Sequence, residues 1–260
     1  MRLVSPEHFD AAQKVLVETF KESVRTISSQ TDVVLGVKDI HSRHLSATDA
    51  FARLVGLSCG LDVAGRTDRD MPCEGTAQFA DCYVREDQEL LRQPDLHQKK
   101  SILNVHEYSH GIDALVFEKY ALKQVATESA LGVVYAAHKI ELSRFLALVP
   151  NYVLEFGIGC SIEHVNGPLA VGGARLTDYE HEVCFLLAMN WDFKQIAHFM
   201  NKHRPIASTR SPDAIYKCRN RICEKLACHP AHLREMLVGM GIHQKMPNLF
   251  FRRLIGSRSL

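Results

Sequence analysis

The stretch that decides the fold is Leu176-Thr177-Asp178-Tyr179-Glu180-His181-Glu182-Val183-Cys184-Phe185-Leu186-Leu187-Ala188, with its continuation Ser211-Pro212-Asp213-Ala214-Ile215-Tyr216-Lys217-Cys218-Arg219-Asn220-Arg221-Ile222-Cys223-Glu224-Lys225-Leu226. Thr177 and Glu180 have the spacing of a capping box, in which hydroxyl and carboxylate satisfy the orphan amides of a helix start. Val183, Leu186 and Leu187 then form an apolar stripe. Between the two segments, Asp192 and Gln195 repeat the capping spacing before Phe193, Ile196 and Met200. Ser211-Pro212 marks a third start, a cap followed by a first-turn proline. Ile215, Cys218, Ile222 and Leu226 follow at offsets 0, 3, 7 and 11, the buried stripe of an amphipathic helix. Three short helices in succession are predicted.

The third helix has a second face, which carries Tyr216, Lys217, Arg219, Asn220 and Arg221. A helix fits the major groove of duplex DNA, where Arg and Lys read guanine and Asn reads adenine. Lys202, Arg204, Arg210, Ser211 and Lys225 extend the basic stretch and suit phosphate contacts, which position without specifying sequence. Charge agrees. The chain carries +1 overall, yet residues 201–260 hold 12 Lys/Arg against three Asp/Glu, a net of +9 on a body of −8. A basic quarter on an acidic body suggests a polyanionic partner; a solvated basic surface is the bland alternative.

Residues 176–228 resemble the LuxR/NarL-type helix-turn-helix family at Leu176-Thr177, Glu180, Glu182-Val183, Leu186-Leu187-Ala188, Ile196-Ala197, Ser211, Ile215, Ile222 and Lys225-Leu226. The resemblance implies that residues near 212–226 are the recognition helix. It also implies a fourth, dimer-forming helix carrying Leu233, Leu237 and Met240. Asn201–Arg210 departs from the family's tight turn; it is basic and contains Pro205.

Upstream, residues 6–30 suggest a helix capped at Ser5-Pro6, covering a core or pairing with a second subunit. Residues 32–142 suggest five strands: Val33–Val37, His44–Ser46, 99–108, 112–122 and 130–140. Lys38-Asp39 reads as a turn, and helices are expected at Ala50–Gly56 and 76–92. This is an α+β pattern with an antiparallel sheet. Residues 143–175 hold a third of the chain's 15 glycines and read as a linker. The expected division is a helix at 1–31, a sensor domain at 32–142, the linker, and an all-α helix-turn-helix domain with an extension at 176–260.

The sensor segment resembles a PAS domain. Gly65-Arg66-Thr67-Asp68-Arg69-Asp70-Met71-Pro72, His106-Glu107-Tyr108-Ser109-His110-Gly111 and Phe117-Glu118-Lys119 are similar to the PAS half of VqmA-type quorum-sensing regulators. The resemblance implies a pocket for a small flat heteroaromatic signal such as a pyrazinol. Phe117 would stack on the ring, Lys119 would donate to its oxygen, and Tyr83 would face it from the preceding helix, with His106 and Leu115 beside them. Other ligands remain open, as does an empty PAS core acting as a dimer scaffold. Thr67 and Asp68 read as caps of a turn, and Lys119 alternatively snorkels from a strand end.

Competing chemistry is thin. Asp68, Asp70 and His106 could serve as acid and base, but no nucleophile spacing and no phosphate-binding glycine loop accompany them. His97 or His106 could ligate haem. Cys218, Cys223, Cys228, His229 and His232 lack the usual two-to-four-residue zinc spacing. No catalytic residue, metal or resident cofactor is therefore expected. No apolar run reaches membrane-spanning length, and the start of the sequence lacks signal-peptide layout. The expectation is a cytoplasmic homodimer acting on double-stranded DNA and a small-molecule signal.

Overall fold

The computed structural model describes residues 2–93, 99–141, 152–157, 159, 161–204 and 209–256. The chain divides into two units, Met1–Ile140 and Glu141–Leu260.

In the first unit, alternation builds a sheet from β2 (Val34–Asp39), β3 (His44–Ala47), β4 (Lys100–Tyr108), β5 (Gly111–Gln124) and β6 (Ser129–Ile140), with β1 (Arg2–Leu3) parallel to the start of β6. These five strands run in the order β3-β2-β6-β5-β4, and all four pairings between them are antiparallel. A two-residue turn joins β4 to β5, and Gly111 leaves it at φ +116°, a backbone angle that favours glycine. Lys38-Asp39 belongs to β2 instead of forming a turn; Asp39 Oδ1 accepts from the amides of His41 and Arg43 and so makes the turn one residue later.

Helix α1 (Ala11–Gln30) covers one face; its Val17, with Phe9 just ahead of the helix, packs with Val37, Leu122 and Leu131. Its cap is Asp10, not Ser5. Reciprocal bonds between Asp10 and Gln13 start the helix there, and Pro6–His8 is a separate 3-10 turn. The other face is roofed by α2 (Asp49–Leu54), α3 (Glu74–Ala77) and α4 (Ala80–Leu91). The helix expected over 76–92 is thus two. Phe79 lies at the break, with its ring 4.9 Å from that of His106. Gly75 lets α3 lie directly on β4, because a Cβ there would meet the Glu107 carbonyl oxygen at 1.9 Å.

The second unit contains the three sequential helices α5 (Asp178–Ala188), α6 (Phe193–His203) and α7 (Pro212–Lys225), then α8 (Leu233–Gly239). All three expected caps form: Thr177 with Glu180, Asp192 with Gln195, and Ser211 on the Ala214 amide. The unit is not all-α. Within the glycine-rich stretch read as linker, β7 (Ser161–Val165) is followed by a hairpin of β8 (Leu169–Val171) and β9 (Ala174–Leu176), turned by Gly172-Gly173 at φ +56° and +82°. Two successive positive φ values are what a two-residue hairpin requires, so these glycines shape a strand pair. Near the chain's end, β10 (Lys245–Pro247) pairs in parallel with β7. Residues 142–151, 158, 160 and 205–208, which include parts of the expected linker and of the Asn201–Arg210 insertion, lie outside the described residues.

Leu233 and Leu237, expected at a dimer surface, are buried within this unit, where α8 packs on α5. Their stripe faces the unit's own core. Among the described residues no helix is long and apolar enough to cross a membrane.

Candidate functional site

Pairing across the sheet puts Lys119 beside Tyr135 and Lys100, Phe117 beside Ile102, and Leu115 beside Asn104, on the face under α2–α4. Directly paired residues share a face. Between this face and the helices lies a cavity of about 30 Å³, walled by Phe117, Tyr83, Tyr108, Tyr135 and Phe51 with Lys119, Lys38, Asp68, Asn104 and Thr76 at its polar points. That volume holds roughly two water-sized groups. Tyr83, Phe117 and Lys119 meet there as the sequence suggests. Leu115 and His106 do not line it. Leu115 belongs to the surrounding apolar cluster, and His106 lies behind Tyr83, its Nε2 2.7 Å from the Tyr83 hydroxyl.

The feature the sequence reading missed is an ion network. Lys119 does not snorkel: it is 4% exposed, and its Nζ donates to Glu86 at 2.9 Å and Asp87 at 2.6 Å, both from α4. Lys38 Nζ donates to Asp68 at 2.5 Å and to Asp87 at 3.4 Å, and Ser42 donates to Asp87 at 2.9 Å. His44 bridges Asp68 and the Tyr135 hydroxyl at 3.1 Å each. Asp68 is therefore not a cap. Asp70 caps the turn with Thr67, and Asp68 turns inward. Burial alone would raise the Asp68 and Asp87 carboxyls, but the ammoniums of Lys38 and Lys119 outweigh it and hold both below the usual carboxylate range. Burial would likewise lower Lys119, yet Asp87 and Glu86 prevail and push it upward. Burial dominates at His106, pulling it down to about 4, so the ring is neutral near pH 7.

One signal was available. Tyr83, Glu86, Asp87, Leu90 and Leu91 occupy one stripe of α4, and two of its members are acidic. Carboxylates on a helix's apolar face call for buried cations. Two buried polar atoms of the cavity wall, Thr76 Oγ1 and the Tyr108 hydroxyl, have no hydrogen-bond partner among the described residues. No hydrogen bond among the described residues joins Asp68, Asp70 and His106 into an acid–base group. His97 lies outside the described residues.

In the second unit, α7 buries Ile215, Cys218, Ile222 and Cys223 and exposes Tyr216, Lys217 and Arg221. Lys202, at the end of α6, is also exposed. Lys202, Lys217 and Arg221 have no ion-pair partner among the described residues. Arg219 stacks over Tyr216 and Phe193, at 4.5 and 5.4 Å, and donates to the Asn220 side-chain oxygen, so these two hold each other. Ser211 is spent as the cap. Lys225 bonds Glu180 at 2.7 Å, tying α7 to the start of α5. Arg204 bonds Glu182 at 2.5 Å, and Arg204 and Arg210 both lie over the Tyr179 ring, at 5.6 and 5.3 Å. The ten basic-stretch candidates thus divide into an exposed group on α7 and α6 and a group engaged within the unit.

What these two units define is a mixed α/β sheet unit with a polar-lined interior, and a capped three-helix unit with an exposed cationic helix face. No protein-family model and no curated protein matches the sequence. Among solved structures the chain is similar to a phage VqmA–DPO complex, at 25% identity over 92% of this chain and 95% of that one, with a TM-score of 0.45. It is also similar to a Vibrio cholerae VqmA dimer in the absence of target DNA, at 21% identity, 87% and 91% coverage and a TM-score of 0.44. A third is the Vibrio cholerae VqmA–ligand–DNA complex, at 22% identity, 95% coverage of both chains and a TM-score of 0.42.

Proposed function

We propose that the chain is a ligand-responsive, DNA-binding transcription regulator and not an enzyme: a PAS-type sensor unit controlling a LuxR-type helix-turn-helix unit, acting as a homodimer in the cytoplasm. The observation that carries the reading is α7. Its cap, its stripe of buried Ile215, Cys218 and Ile222, and its exposed Lys217 and Arg221, which have no ion-pair partner among the described residues, support a helix presented to a major groove. With Leu233 and Leu237 taken into the core, the dimer surface is assigned to α1, whose Val15 is exposed. Replacing Lys217 and Arg221 by alanine should weaken duplex binding and lower the salt slope by about 2. Circular-dichroism melting should be unchanged, since neither residue is buried. Unaltered affinity in a gel shift at matched salt would remove α7 from the interface.

The sensor ligand is assigned to the small flat heteroaromatics, a pyrazinol among them. Aromatic walls supply stacking area, and Thr76 and Tyr108 offer two unsatisfied polar atoms. Lys119 would serve such a ligand only by sharing a charge already held by Glu86 and Asp87. A second reading has its own support: the cavity of about 30 Å³ has room for roughly two waters, and the Lys119 charge is already held by Glu86 and Asp87, which suits a core acting as a dimer scaffold. Titration with hydroxypyrazines, read by thermal shift and native mass spectrometry, separates the two. A stoichiometric adduct with a raised Tm supports sensing, and neither effect supports the scaffold.

A further inference from the structure

The second unit holds a cavity that the DNA-binding reading does not use. It lies between the end of β7, the first turn of α5 and the segment after β10, and its volume is about 420 Å³. Ligand cavities commonly span ~300–1,000 Å³. Its charged wall is unevenly matched. Arg204, Arg252 and Arg253 face two carboxylates, Asp178 and Glu182. Arg204 is committed to Glu182 Oε1. Arg252 and Arg253 are exposed and have no ion-pair partner among the described residues.

Glu182 supplies an independent sign. It is 2% exposed, and its second oxygen, Oε2, has no hydrogen-bond partner among the described residues. Buried polar atoms are nearly always paired, and an unpaired one calls for an explanation. Neighbouring His181 cannot supply a proton donor to it as an imidazolium: its Nε2 is 2.8 Å from the Lys245 carbonyl oxygen, and burial pulls it down to about 4.

We propose that this cavity is a second ligand site, for a small organic or inorganic anion bearing phosphate or carboxylate groups. Arg252 and Arg253 hold the anionic groups, for which paired guanidinium forks are well shaped. A hydroxyl or amine on the same molecule completes the Glu182 carboxylate. Arg204 directly follows α6, so an occupant touches the chain between the second and third helices in sequence. The site stands independently of any ligand in the first unit.

The test is isothermal titration of the full chain with pyrophosphate and with citrate, at ionic strength held constant by potassium chloride. Arg252→Ala/Arg253→Ala is the variant, chosen because both positions are exposed. The expected result is saturable binding near one site per chain, weakened at least tenfold in the variant and undisturbed by a 30-base-pair duplex. Absence of saturable binding, or equal binding by the variant, would overturn the site. Displacement of pyrophosphate by the duplex would overturn it too, reassigning both arginines to the phosphates of the DNA backbone.

Discussion

Lys119→Met replaces a buried ammonium with an apolar side chain of similar length. In the first unit it leaves Glu86 and Asp87, both buried, without the cation that bonds them at 2.9 and 2.6 Å. Lys38 remains 3.4 Å from Asp87 and bonds Asp68 more closely, so it cannot replace what is lost. Breaking one partner out of a buried ion pair costs about 3–5 kcal/mol. For a unit of this size each kilocalorie moves the midpoint by about 3–5 °C, so the calorimetric transition of the first unit should fall by roughly 10–20 °C with no ligand present. Adding Asp87→Asn to the variant should cost less than the sum of the single changes, because the second substitution removes a charge the first one stranded. A fall under 3 °C, or strict additivity, would show that Lys119 is not held as described. Lys119 could then be regarded as free to meet a ligand.

Three other outcomes are expected. The Tyr108 hydroxyl is buried and unpaired, so Tyr108→Phe should leave the ligand-free Tm unchanged or raised, while weakening any ligand that carries a polar group; a lowered ligand-free Tm, read by scanning fluorimetry, would mean the hydroxyl is already bonded. His106 and His181 fall from 6.5 to about 4 on folding, so each favours its neutral form in the native state. Their stabilisation is complete above pH 6.5 and is lost as pH falls toward 4, roughly 3 kcal/mol apiece; urea midpoints constant over that interval would contradict their burial. Leu237→Ala should cost about 2–5 kcal/mol through cavity formation and lower the Tm of the second unit at every protein concentration. Sedimentation showing dissociation into monomers of unchanged stability would return that residue to a subunit interface.

Local signals were the legible ones. Each of α5, α6 and α7 begins where a Thr, Asp or Ser stands three residues ahead of its partner, and strands β2–β6 follow the alternation of apolar residues to within a residue or two. What could not be read depends on contacts far apart in sequence. Asp68 has the local look of a turn cap, and only the arrival of Lys38 and His44, 30 and 24 residues away, draws it inside. Gly172-Gly173 is equally consistent with linker and hairpin until Leu169–Val171 finds Ala174–Leu176. Phe117, Lys119 and Tyr83 were found through resemblance. Thr76 and Asn104, which meet them across the interior, carry no local mark of a site.

Gly36 illustrates a different economy. A Cβ on this residue of β2 would stand 2.2 Å from the hydroxyl of Tyr135, whose ring lies over the strand and reaches His44. The interior's capacity is thereby set from beneath, by a position that never touches its contents. One added methyl group would force the Tyr135 ring, which also walls the interior, to move. A residue absent from the lining acts as the gauge of what the lining can admit, and divergence in ligand size among descendants of this chain would begin at the floor as readily as at the walls.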